Sequence, residues 1–240
     1  MKSAAPVSAR FVLVRPSNAL NIGAAARAMA NFGLTDLAAV APYADGWREA
    51  HSAIYGSELL TKARVLTLEE AVADCHLVLG SASAHNRALR RTMVTLPALR
   101  AWLRRRLPKG GRVAVLFGAE RNGLENAELD HCHALLRIPT ADDAPSMNLG
   151  QAVALAAYGF STFSQESSVT EPDERLLEGV QVEGLVETAM QAMRKTGVNA
   201  HLGDEARRRR FRRGLLSWRM TRADASFLRG LLAKLMEAGD

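Results

Sequence analysis

Residues 138–157 read IPTADDAPSMNLGQAVALAA, and two transitions within them point to the fold class. A short apolar segment, Ala134 to Ile138, runs into Pro139, which cannot continue a central strand. A polar loop follows. Ser146 then stands where a helix N-cap belongs, and a capping serine or asparagine accepts a hydrogen bond from an otherwise orphaned helix N–H. The helix beyond carries no polar side chain between Ala152 and Ala157, so it is expected to be buried on all sides. Free N–H groups and the dipole at such a helix start favour anions or polar ligands. Gly150, in the first turn, costs about 1 kcal/mol against alanine unless a ligand or a closely packed second helix needs the missing side chain. An ordinary buried helix with a good cap would explain this stretch equally well if it stood alone.

It does not stand alone. FGAERNGL, residues 117–124, follows the strand-like RVAVLF, and NALNIGAAARAM, residues 18–29, follows the strand-like RFVLV. Each of the three loops closes a predicted strand, and each is rich in Gly, Asn, Ser or Glu. Taken in order, Phe11–Val14, Leu37–Val40, His76–Leu79, Arg112–Phe117 and Leu135–Ile138 read as strands. Between them, Asn21 is the expected cap of a small-residue helix over 22–31, with Gly33 beyond its end. A helix is expected over 52–62, and Thr67 with Glu70 forms a capping box for another over 67–74. An amphipathic helix over 97–107 turns Arg100 and Arg104–Arg106 outward. Strands alternating with helices imply a parallel sheet covered on both faces.

The 240 residues allow one large domain or a main domain with an appendage, and 48% apolar content suffices for a packed core. No stretch reads as a membrane span, because the longest apolar segment is broken by Gln151 and Ser161. MKSAAPVSAR has no apolar core of a secretory signal, and two cysteines, Cys75 and Cys132, suit a reducing cytoplasm. The run His131-Cys132-His133 is not expected to hold a metal, since adjacent residues rarely converge on one ion. Net charge is +6 and unevenly spread. Arg87 to Arg112 holds nine basic residues and no acidic one, whereas Glu171 to Met193 is acidic. Arg207–Arg210, Arg212 and Arg213 put six arginines within seven residues on a predicted helix, where like charges repel. A polyanion would relieve that repulsion, which makes nucleic acid the expected partner.

Together the three stretches resemble the three motifs of the SPOUT superfamily, in its TrmH/SpoU ribose methyltransferase branch. Asn21 with Arg27, Gly118 with Glu120, and Ser146 with Asn148 carry the match. FVLVRPSNALNIGAAARAMANFG and PSMNLGQAVALAAY are most similar to the TrmJ group of tRNA 2′-O-methyltransferases. The resemblance implies an α/β fold, a mostly parallel sheet with a C-terminal trefoil knot, where periodicity alone would suggest a Rossmann-like sheet. It divides the chain into a methyltransferase domain, 1–166, a linker, 167–173, and a helical C-terminal extension, 174–240.

It further implies methyl transfer from S-adenosylmethionine to a ribose 2′-hydroxyl of tRNA, in the anticodon loop, by a homodimer without metal. Gly118, Ile138, Met147 and Leu149 are the implied cofactor contacts, mostly through backbone. Arg27 is the implied catalytic residue, with Asn21, Glu120, Ser146 and Asn148 around it. A guanidinium is effectively never deprotonated, so Arg27 is expected to bind the target phosphate and stabilise the developing alkoxide. Glu120 is expected to orient Arg27. Met147 stands where leucine is usual, and Gly159 where relatives often carry an acid. Two rivals are the same chemistry on ribosomal RNA and a non-catalytic RNA-binding protein. A dehydrogenase is excluded by the lack of G-x-G-x-x-G.

Overall fold

The computed structural model describes residues 7–43, 46–82, 91–162, 177–218 and 220–237. The expected linker, 167–173, and Arg87 and Arg90 of the basic run lie outside these residues. In chain order the first elements are β1 (Ser8–Val14), α1 (Ala19–Asn31), β2 (Asp36–Val40), α2 (Ser57–Lys62) and β3 (Arg64–Val65). Next come α3 (Leu68–Val72), β4 (Leu77–Ala82), β5 (Met93–Thr95), α4 (Leu99–Arg104) and β6 (Arg112–Phe117). The series ends with α5 (Asn126–Leu129), β7 (Ala134–Arg137), α6 (Leu149–Ser161), α7 (Gly179–Thr196), α8 (Asp204–Ser217) and α9 (Arg222–Glu237).

The strands form one parallel sheet in the order β3-β2-β1-β6-β4-β7-β5. Its central strands are apolar without alternation because both faces are covered. Phe11, Leu13, Val115 and Phe117 point to the face packed by α1, α2, α4 and α6. Val12, Val14, Ala114 and Leu116 point to the other, which holds α3 and the α5–β7 segment with Leu124, Leu129 and Cys132. A third core, built on Leu185, Val186, Met190 and Leu215, belongs to α7–α9. That bundle docks on the end of α3: Gly179 N–H donates to Cys75 C=O and Val180 N–H to Ala73 C=O. Gly179 lies so close that a Cβ would sit 2.4 Å from the Val72 carbonyl oxygen.

Four expectations need correction. Asn18, not Asn21, caps α1; its Oδ1 accepts from Leu20 N–H at 2.9 Å, so the helix starts three residues early. Asn148, not Ser146, caps α6, accepting from Gly150 N–H. The helix expected over 52–62 is reduced to α2, because 51–56 form turns that let Gly56 pack on the Ala26–Arg27 backbone. Finally, α6 is not buried all round. Gln151, Leu155 and Tyr158 form an exposed stripe, while Val153, Ala156, Ala157 and Phe160 face the core. The capping box at Thr67 and Glu70 is formed as expected, and Gly33 follows the end of α1 at φ 72°.

Candidate functional site

The three motif loops leave the carboxyl ends of β1, β6 and β7, the end of a parallel sheet where ligands bind. One hydrogen-bond chain ties all three together. Asn148 Nδ2 donates to Asn21 Oδ1 at 2.9 Å, and Asn21 Nδ2 donates to Glu120 Oε1 at 3.1 Å. At its far end Asn148 Oδ1 accepts from Gly150 N–H at 2.9 Å. Each amide is thus fixed in orientation, with its oxygen accepting and its nitrogen donating. Because Asn18 takes over the cap, Asn21 is free to act as the middle link.

Glu120 is the anchor of this chain. Its carboxylate also accepts from Ser17 N–H at 3.0 Å, Ser17 Oγ at 2.8 Å and Asn18 N–H at 3.2 Å. Partial burial works to raise its pKa, but the donors from Asn21, its own backbone and Ser17 outweigh burial and hold it below the ordinary carboxylate range. Glu120 therefore secures the entry of α1, and within the chain none of its bonds among the described residues goes to Arg27. Ser17 and Asn18 were missed in the sequence reading; a Ser-Asn pair directly ahead of a helix is the signal that could have found them.

Arg15 was missed as well. It sits at the end of β1 with φ 51°, a left-handed backbone rare for such a residue. From there its guanidinium reaches the buried Glu128 in two bonds of 2.7 and 3.1 Å and Glu125 at 2.9 Å. Another bond goes to the Gly123 carbonyl at 3.3 Å. The first loop is thereby clamped to the second.

The glycines serve close approach. A Cβ on Gly118 would lie 2.1 Å from the Gly123 carbonyl carbon and 2.2 Å from Leu124 N, so the loop's own return occupies that space. Gly123, at φ 66°, makes that return, and its N–H bonds the Ala119 carbonyl. A Cβ on Gly150 would meet Ala24 Cβ at 2.7 Å. The second helix allowed for at Gly150 is α1.

Of the other expected site residues, Ile138 and Met147 are half-buried at the two ends of the loop after β7, and Leu149 is buried as the first residue of α6. Ser146 is exposed beside Met147. Thr140 Oγ1, in the same loop, is buried without a hydrogen-bond partner. Arg27 stands apart. Six residues beyond Asn21, it lies about 9 Å further along the axis and on another face of α1, exposed and with no ion pair among the described residues. Among those residues no group of acidic, His or Cys side chains is arranged to hold a metal, and no helix is long and apolar enough to cross a membrane.

Comparison with known proteins agrees with this geometry. Residues 8–158 match the model of the SpoU rRNA Methylase family. A Haemophilus influenzae protein named an uncharacterized tRNA/rRNA methyltransferase is 41% identical over 151 residues, 62% of this chain and 61% of that protein. The Methanocaldococcus jannaschii tRNA (cytidine-2′-O-)-methyltransferase TrmJ is 35% identical over 155 residues, 63% of this chain and 66% of that protein. These matches span less than two thirds of the relatives' length. The crystal structure of TrmJ from Z. mobilis ZM4 superposes with a TM-score of 0.81 at 32% identity, covering 95% of this chain and 99% of that one. Motif order, loop geometry and family match converge: the chain belongs to the SpoU rRNA methylase family.

Proposed function

We propose that this chain transfers a methyl group from S-adenosylmethionine to a ribose 2′-hydroxyl of tRNA. The observation that carries the reading is the Asn148–Asn21–Glu120 chain, which locks the three family loops into one site. The tRNA substrate follows the names of the relatives, and the anticodon loop follows the resemblance of the first motif to the TrmJ group.

The loop after β7 suits the cofactor. Its buried, unpaired Thr140 hydroxyl lies in the same loop as half-buried Ile138 and Met147, a setting for a flat apolar ring with polar edges. Ile138, Met147, Leu149 and the Gly118 loop would hold it. When bound, S-adenosylmethionine supplies the methyl group. The chain's own residues align and stabilise. Asn21, Asn148 and Glu120 keep the loops in register, so that the reacting groups meet in a fixed geometry. Ser146 stands exposed at the rim, open to substrate. Arg27 binds the target phosphate and stabilises negative charge on the attacking oxygen.

Arg27 lies outside the cluster of its own chain, and this supports a homodimer in which it faces the cofactor loops of a second copy. Leu20 on α1 with Leu155 and Tyr158 on α6 supply the apolar surface for that contact, at 60%, 38% and 56% exposure. The position of β7 between β4 and β5, with α6 returning to pack on α1, supports the trefoil knot. The separate core of α7–α9 supports domain limits of 1–166 and 174–240 with a linker at 167–173. Free, buried Cys75 and Cys132 suit the cytoplasm.

The test is methyl transfer from labelled S-adenosylmethionine to total tRNA and, separately, to ribosomal RNA. Incorporation into tRNA ribose is expected. Incorporation into ribosomal RNA alone would move the substrate, and none into either would leave a binding protein. A monomer by light scattering at full activity would overturn the dimer.

A further inference from the structure

Arg137, the last residue of β7, immediately precedes Ile138 in the loop assigned to the cofactor. It is half-buried, and its Nε is buried with no acceptor. The guanidinium makes no hydrogen bond or ion pair among the described residues. Other buried arginines of the chain each hold a carboxylate: Arg10 pairs with Asp74, Arg91 with Asp130 and Arg212 with Glu183. Asp142 and Asp143, in the same loop as Ile138, are exposed and do not pair with Arg137. Three residues beyond Arg137, Thr140 Oγ1 is likewise buried without a partner.

Along β7, Ala134 and Leu136 pack into the first core and Leu135 into the second, so strand alternation turns Arg137 toward the second. In the sheet it stands opposite Ala82 of β4 and Thr95 of β5. Leu124, which ends the second motif, belongs to that same face. Arg137 thus leaves the carboxyl end of the sheet on the face where the Gly118–Gly123 turn closes. A buried donor without an acceptor is costly, and more so on a charged group. A planar guanidinium matches the two oxygens of a carboxylate, and S-adenosylmethionine ends in one at its methionine portion. The buried Nε lies back along the side chain, where a ligand held by the loop reaches it more readily than an RNA strand laid over the surface.

We propose that Arg137 is a cofactor-binding residue whose guanidinium holds the carboxylate of the methionine portion of S-adenosylmethionine. The assignment rests on the methyl-transfer reading above and adds to it the group that recognises the charged end of the cofactor. The remaining contacts named for that loop, Ile138, Met147 and Leu149, carry no charge.

Calorimetry on the full-length protein with two ligands tests this. S-adenosylhomocysteine carries the carboxylate, and 5′-methylthioadenosine keeps the nucleoside and its sulfur but lacks the amino-acid portion. Arg137→Gln should weaken S-adenosylhomocysteine about tenfold or more, the loss of one charge-assisted contact. The same variant should bind 5′-methylthioadenosine within about twofold of the wild type, which also shows that the loop is still folded. Equal weakening of both ligands would overturn the proposal, because Arg137 would then shape the loop and not hold the carboxylate. Wild-type affinity for both would overturn it as well, and a raised KM for tRNA in that variant would hand the side chain to a substrate phosphate. Wild-type protein that binds neither ligand would overturn the methyl-transfer reading together with this assignment, a result distinct from either of the others.

Discussion

Two helices of this chain carry arginines with opposite fates. On α1, Arg27 stands exposed among alanines and meets no carboxylate among the described residues. On α8, Arg207 pairs with Asp204, Arg208 with Glu187 at 2.6 Å, Arg209 with Asp130, and Arg212 with both oxygens of Glu183 at 2.8 Å. The dense cluster that points to a polyanion in sequence is thus largely neutralised from within, much of it by the acidic stretch that forms α7. The isolated arginine is the one left open to a ligand. Local arginine density therefore says less about RNA than the absence of a carboxylate opposite.

Removing the shared acid should give the largest effect on the paired side. Asp130 is 2% exposed and holds Arg91 and Arg209 together. Asp130→Ala strands the buried Arg91 charge and should cost about 3–5 kcal/mol, read from the urea midpoint. A loss below about 1 kcal/mol would mean that the α8 pairs are surface decoration.

The unpaired side predicts a kinetic effect instead. Arg27→Ala should slow transfer about 10²–10³-fold, as for other residues that stabilise a developing anion. Calorimetric affinity for S-adenosylmethionine should stay within about twofold, since Arg27 is assigned to the target phosphate and the cofactor to Ile138, Met147, Leu149 and the Gly118 loop. If affinity collapsed together with rate, Arg27 would be a cofactor ligand and the contrast between the helices would fail.

A third test concerns the floor beneath the tail. His133 is neutral in the fold: its Nδ1 accepts from Val78 N–H at 3.0 Å, and burial lowers its pKa from 6.5 to about 4. Below pH 6.5 the unfolded chain takes a proton that the folded chain refuses. Stability from this group is therefore complete above pH 6.5 and falls as pH drops toward 4, by about 3 kcal/mol at most. His133→Asn, which keeps an acceptor without a titrating ring, should flatten that part of the stability profile. An unchanged profile would show that another group controls it.

The parallel sheet was legible because central strands such as RVAVLF are uninterrupted apolar runs, and β6 spans the residues expected of it. Two strands were not. β3 has two residues and β5 three, too few to show a period, and both depend on register with a neighbour. The caps were misplaced because each loop offers two capping residues, Asn18 or Asn21 and Ser146 or Asn148. Only the tertiary bond between Asn21 and Asn148 shows that Asn21 links while Asn148 both caps and links. The partners of the α8 arginines were invisible for a similar reason: Arg209 and Asp130 are 79 residues apart. Exposure of Leu155 and Tyr158 could not be read either, since an apolar helix looks alike whether its own chain or a second copy covers it.

The contrast between paired and unpaired arginines is tested most directly by the salt dependence of tRNA binding in an Arg207→Ala, Arg208→Ala double variant, beside Arg27→Ala. Each arginine that neutralises a phosphate steepens the slope of log affinity against log salt by about 0.7–0.9. The double variant should keep the wild-type slope, because Asp204 and Glu187 already hold those side chains, while Arg27→Ala should lose about one contact's worth. A slope reduced by two contacts in the double variant and unchanged in Arg27→Ala would contradict the account.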